Sequence, residues 1–329
     1  MDSLSKDALY EVFRRLPLRC KLRCARVCTD WRRMMEVEMR ARLDFTGTNV
    51  QLRTLCSLAA RLKCRRLIVN ASDVRTSTRY DGELVACVVE SLRNWMGGMP
   101  LALDFSHCKV HWYARSALMP LMPHVDKLSV GPQSAVTMRW APELCHLRVR
   151  HIQLGSLLYM VPVNLRSIGF DACAIKALGR DELRTWLAGM PLLNTVLFSH
   201  VSLYDRHAEA VAEACVAGRW SHLEMEFAGV GELGAAVIAT TVARSPELRD
   251  LSVQGNHIGD AGATMIAQSA TKLLHLDLSR CGISADGACA VMKELASNKD
   301  PVTLRAYGNT DGSAFLRLAK SDGLVDIEA

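Results

Sequence analysis

Leu273-Leu274-His275-Leu276-Asp277-Leu278-Ser279-Arg280-Cys281-Gly282-Ile283 repeats the pattern of Leu248-Arg249-Asp250-Leu251-Ser252-Val253-Gln254-Gly255-Asn256-His257-Ile258, and both match Leu165-Arg166-Ser167-Ile168-Gly169-Phe170-Asp171-Ala172-Cys173-Ala174-Ile175. In each stretch apolar residues fill the first, fourth, sixth and last places. The fourth and sixth are spaced as same-face residues of a strand. Asn256, Cys173 or Cys281 stands where the chain must turn out of that strand. Less regular copies begin near Arg40, Cys64, Pro100, Val125, Leu144, Leu193, Trp220 and Pro301. The later copies are 25 to 28 residues long, and the intervals Ala261–Ala270 and Ala285–Leu295, rich in Ala, Met and Leu, read as helices. A unit of this size exposes its strand leucines when alone, so the core becomes continuous only when neighbouring units stack.

The pattern resembles the leucine-rich repeat. The resemblance implies an α/β solenoid over residues 40–329, with about eleven irregular repeats, a curved parallel sheet and helices on the convex side. The copies near Val125 and Leu144 are short and leave room only for tight turns, which predicts irregular curvature. Leu324-Val325-Asp326-Ile327 is expected to add a last edge strand. Ser72 to Pro100 is the longest interruption and reads as one overlong repeat with a polar loop.

Ahead of the repeats, Leu9, Val12, Phe13 and Leu16 recur at steps of three and four, the stripe of an amphipathic helix. Pro17 ends it. A second helical run is expected to carry Leu22, Ala25 and Val27 and to reach Cys28 and Trp31, with arginines filling the positions between. So few residues cannot enclose that many large apolar groups, and a partner surface is the natural completion. From Leu4 to Trp31 the spacing resembles the F-box, placed at residues 1–39. That family is a small all-helical module that docks a Skp-type adaptor subunit of a cullin-based ubiquitin ligase and does no chemistry itself. The resemblance makes Leu4, Leu9, Val12, Phe13, Leu16, Pro17, Leu22, Val27, Cys28 and Trp31 the adaptor-binding residues. Ser5 stands where the family usually has Pro; serine caps helix N-termini, so the helix is expected to form, with a weaker adaptor contact.

The net charge of +6 is uneven, since residues 1–43 hold eleven Lys or Arg against six Asp or Glu. Phe13 and Trp31, aromatics beside those charges, belong to the apolar spacing of the helices, so an acidic protein surface is a better partner there than nucleic acid. No uncharged run approaches the roughly 20 residues needed to cross a bilayer. Asp2, Lys6, Asp7 and Glu11 interrupt the place of a secretory or transit segment. The twelve cysteines lack framework spacing and are expected to be free thiols in a cytoplasmic or nuclear protein.

Gly229-x-Gly231-x-x-Gly234 matches a dinucleotide fingerprint. Aligning the repeats lays it over Ile258-Gly259-Asp260-Ala261-Gly262-Ala263, which makes these glycines an ordinary strand-to-helix turn. Cys20, Cys24 and Cys28 would share a face only on a single helix, and structural zinc wants closer pairs and four ligands. Cys108, between His107 and His111, falls on the turn position of its repeat, where a thiol donates weakly to carbonyls. No catalytic pairing can be assembled, and neither a metal nor a cofactor is expected.

Residues flanking the buried strand positions point outward, along the inner curve of such a solenoid. They include Asp104 and Ser106, then His146, Arg148 and Arg150, then Thr195 and Ser199. His222, Glu224 and Glu226 follow, then Asp250, Ser252 and Gln254, then His275, Asp277 and Ser279, and finally Arg305 and Tyr307. A basic middle gives way to an acidic end, suited to a mixed-charge protein segment. By resemblance the chain is a non-catalytic substrate-recognition adaptor, its F-box on the Skp-type adaptor and cullin and its repeats on a target protein. The alternative is a structural scaffold in a stable cytoskeletal assembly such as a ciliary or axonemal regulatory complex. A third reading is a regulator of a GTPase or nuclease acting through the concave face.

Overall fold

The computed structural model describes residues 15–16, 18–41, 43–44, 67–68, 101–105, 122–131, 142–157, 163–175, 178–298, 300–310, 315 and 325–328. The expectations placed on Leu4, Leu9, Val12, Phe13, Pro17, the Ser72–Pro100 interruption and the His107–His111 cluster lie outside these residues. The chain divides into two compact units, Met1–Leu147 and Arg148–Ala329.

In the first unit, helices α1 (Leu18–Cys24) and α2 (Thr29–Ala41) replace the single helical run expected through Leu22 and Trp31. Ala25, Arg26 and Val27 form a turn, closed by the Arg26 and Val27 amides donating three residues back to Arg23 and Cys24. Cys28 then starts α2: its carbonyl accepts from the Arg32 amide, and its sulfur lies 3.5 Å from the Trp31 amide. Cys20 and Cys24 therefore lie on one helix and Cys28 ahead of another, so no common thiol face exists. Strands β1 (Leu43–Asp44) and β2 (Leu67–Ile68) pair in parallel, as do β3 (Leu101–Phe105) and β4 (Val125–Val130). Val125, Leu128 and Val130 are buried, with half-exposed residues between them.

In the second unit β6 (Ser167–Asp171), β7 (Thr195–Ser199), β8 (His222–Glu226), β9 (Asp250–Ser252), β10 (His275–Asp277), β11 (Val302–Arg305) and β12 (Val325–Glu328) form one parallel sheet in strict chain order. The end of β5 (His146–Arg150) lies beyond β6. The register stacks Ile168, Val196, Leu223, Leu251, Leu276 and Leu304 in one row, each at most 2% exposed. A second row sets Phe170 on Phe198, ring centroids 4.9 Å apart, with Met225 next. Each such residue, fully buried, contributes about 1.5–3 kcal/mol of burial free energy. This is an α/β leucine-rich repeat solenoid, and the last edge strand forms where Leu324–Ile327 was expected, shifted by one residue.

The intervals between strands carry α3 (Arg180–Ala188), α4 (Tyr204–Gly218), α5 (Glu232–Arg244), α6 (Gly259–Ser269) and α7 (Ala285–Ala296). The inner faces of α4 to α7 include many small residues, such as Ala208, Ala212, Ala235, Ala263 and Ala288, which let consecutive helices approach closely, whereas α3 buries Leu183, Trp186 and Leu187. After β5 the described residues carry the 3-10 turn Leu154–Leu157, in keeping with the short copy. The turn position works as a polar ladder: buried Asn256 accepts from the Ala228 and Val230 amides and donates to the Met225 and Val253 carbonyls. Asn309 does the same for the amides of Cys281 and Ile283, whereas Cys173 and Cys281 donate their thiols to the carbonyls of Val149 and Val253. All eight cysteines among the described residues are free thiols.

Asp205 and Asp260, at equivalent places near the starts of α4 and α6, cap later helices. Asp205 Oδ1 accepts from the Gly231 amide at 2.7 Å; Asp260 accepts from the Ser284 amide and hydroxyl at 2.7 and 2.6 Å. A side chain at Gly234 would meet Asp205 Oδ1 at 2.5 Å, and Gly229 takes φ +70°, so these glycines serve the turn. Strict strand order also leaves no switch point for a dinucleotide.

Candidate functional site

On the face of the second unit's sheet opposite its buried rows, the outward residues of β8, β9, β10 and β11 stand side by side. His222 lies beside Asp250, which lies beside His275 and then Thr303. In the next row Glu224 lies beside Ser252, followed by Asp277 and Arg305. Glu226 ends β8. These side chains line a groove of about 250 Å³, floored by Leu251, Ser252 and Leu276.

Its electrostatics divide the groove in two. On one side His222 Nε2 lies 2.7 Å from Glu224 Oε1 and Nδ1 lies 3.4 Å from Asp250 Oδ2. A neutral imidazole carries one N–H, so carboxylates at both ring nitrogens favour the imidazolium. The hydrogen bond to Glu224 raises the His222 pKa, burial opposes it, and Asp250 adds to the rise. His275 Nε2 lies 3.8 Å from the other Asp250 oxygen. On the other side Glu226 and Asp277 have no cation within ion-pair distance among the described residues. Glu226 accepts from the Ser252 hydroxyl at 3.1 Å and Asp277 from the Ser279 amide at 2.8 Å, both neutral donors. Burial raises the Glu226 pKa, and the charges of Glu224 and Asp277 push it the same way.

Of the outward residues expected from the sequence, the fold brings His222, Glu224, Glu226, Asp250, His275, Asp277 and Arg305 into this groove. Gln254 and Tyr307 lie outside its lining: Gln254 Nε2 donates to the Tyr307 hydroxyl at 2.6 Å, and the Arg280 guanidinium sits 5.7 Å from the Tyr307 ring. His146, Arg148 and Arg150 lie on β5, outside the groove. Arg150 is paired with Asp171 on β6 at 2.6 Å, so the basic stretch is partly neutralised by a residue that sequence reasoning passed over. Aligning the strands would have found it, since Asp171 is the outward end of β6. Thr303, also passed over, is the outward partner of His275. Among the described residues, no three His, Cys, Asp or Glu side chains are placed to hold a metal ion.

In the first unit, Leu22 lies in α1; Leu16 and Trp31 are half-buried, while Val27, 65% exposed, and Cys28 stand on the surface between α1 and α2. Met35, fully buried, anchors α2.

Comparison with known families matches the F-box domain at residues 1–37 and the leucine-rich repeat at residues 244–267 and 269–292. The chain joins an F-box to leucine-rich repeats. The two matched repeats contain β9 and β10 and most of α6 and α7, so β9 and β10 of the groove are leucine-rich repeat strands. Ribonuclease inhibitor of Sus scrofa is 25% identical over 181 residues, 50% of this chain and 40% of that protein. The chain thus matches about two-fifths of that relative's length. A chain from the crystal structure of the Rad7 and Elc1 complex in yeast superposes with a TM-score of 0.49 at 12% identity, over 97% of this chain and 90% of that one.

Proposed function

We propose that the chain is a substrate-recognition adaptor: its F-box docks a Skp-type adaptor bound to a cullin, and its repeats hold a target protein for ubiquitin transfer. The observation that carries this reading is the presence in one chain of an F-box, residues 1–37, and leucine-rich repeats whose sheet presents a charged groove. The contribution to rate is proximity, because holding two reactants together replaces a bimolecular encounter. Exposed Val27 and Cys28, with half-buried Trp31 beside them, supply an apolar surface of the kind that a partner covers.

The test is co-purification of the full chain with a Skp-type adaptor and cullin, wild type against Leu9→Ala/Phe13→Ala and against Val27→Glu. Val27 is exposed, so its change should spare stability. Association in the wild type and its loss in both variants is expected. A folded wild type that brings down neither subunit would refute the reading.

A further inference from the structure

The groove on β8 to β11 has one half whose charges are matched and one half whose charges are not. Glu224 and Asp250 flank the two ring nitrogens of His222, and His275 stands near Asp250. Glu226 and Asp277 flank Ser252, are half-buried, and their carboxylates accept from a hydroxyl and an amide, while Arg305, the register partner of Asp277, and His200, near Glu226, stand beyond ion-pair distance of them. Ser252 is the smallest side chain of its row, between Glu224 and Asp277, and it leaves the depression that these carboxylates border. Like charges held together at half-burial repel, and an incoming cation relieves that repulsion. The groove's side chains do not converge as metal ligands do. A guanidinium, with five N–H donors in a planar fork, spans carboxylates set apart from one another better than a point charge does.

We propose that this groove binds a basic segment of a partner protein, seating an arginine side chain between Glu226 and Asp277 over Ser252. The assignment rests on the reading of the repeats as the half that holds the target, and it names the chemistry of that target. The sheet face is covered by no element among the described residues. Its charge complements a basic segment and repels acidic peptides and nucleic acid.

Fluorescence anisotropy on the full chain tests this with a labelled nonapeptide alternating Arg and Ser, its Lys/Ser and Glu/Ser counterparts and an all-Ser control. The Arg peptide should bind at least ten-fold more tightly than the all-Ser peptide, and more tightly than the Lys peptide. Glu226→Gln/Asp277→Asn should weaken it at least ten-fold and flatten its salt dependence. Gln and Asn keep the acceptor oxygens used by Ser252 and Ser279, so the variant should fold, which its melting curve checks. Asp181→Asn/Glu247→Gln removes the same charge from exposed helix-side positions and should change affinity less than two-fold. Equal affinity of wild type and Glu226→Gln/Asp277→Asn overturns the proposal, as does equal loss in the control variant or no preference for Arg over Ser. Each of those results would leave adaptor co-purification intact, so failure of the groove and failure of the F-box reading are separable.

Discussion

Asn256 has no exposed surface, and its carboxamide satisfies two backbone amides of the preceding turn and two strand carbonyls. Removing it strands buried backbone groups, each costing about 1–3 kcal/mol. Asn256→Ala should therefore lower unfolding stability by about 2–4 kcal/mol, whereas Cys281→Ala, which loses weak thiol donation and some packing, should cost about 1–2 kcal/mol. Urea denaturation checks both, and near-equal costs would contradict the ladder. His222 gives a pH signature. Held by Glu224 and then Asp250, it has a folded pKa above its ordinary 6.5, so its stabilisation is full below pH 6.5 and is lost as pH rises through the folded value. The other neighbour on its sheet face is neutral Thr195 on β7, and His275 lies beyond Asp250. Glu226, also raised, acts in the same direction but from 4.5 upward. Denaturation midpoints of wild type and His222→Asn should converge as pH rises above 6.5; a gap that stays constant would show that the pairing carries no stability.

Between elements, the glycine at the third or fourth position of α5, α6 and α7 is set by its neighbour rather than by helix propensity. Ala exceeds Gly by about 1 kcal/mol inside a helix. At Gly287, however, an added Cβ would collide with the Asp260 carboxylate that caps α7, and at Gly234 with Asp205 and Val230. Gly287→Ala should destabilise by about 1–3 kcal/mol, and the change should be milder or favourable in an Asp260→Ala background. Additive behaviour in that double-mutant cycle would refute the contact. The repeat itself was legible, because buried Leu251, Leu276 and Leu304 stand where the period put them. The caps from Asp205 and Asp260 were not, since they link residues 24 to 26 apart and appear only when helices stack. The break between α1 and α2 was hidden for a local reason: Ala25, Arg26 and Val27 include no helix breaker, and Cys28, an uncommon N-terminal residue, opens α2. In the groove, the residues were legible from alternation, but their division into matched and unmatched halves depended on lateral register.

At the scale of the whole molecule, charge is segregated along the chain. Residues 1–43 carry five of the six excess positive charges, eleven basic against six acidic, whereas the groove of the second unit is lined by four carboxylates. An adaptor needs two surfaces that work independently, and opposite electrostatic character keeps their partners distinct. Changes at one surface should therefore leave the other untouched. Native mass spectrometry of the full chain mixed with a purified Skp-type adaptor measures this directly. A one-to-one complex should form with the wild type, persist with Glu226→Gln/Asp277→Asn and disappear with Val27→Glu. No complex with the folded wild type, or a complex abolished by the groove variant alone, would contradict the account.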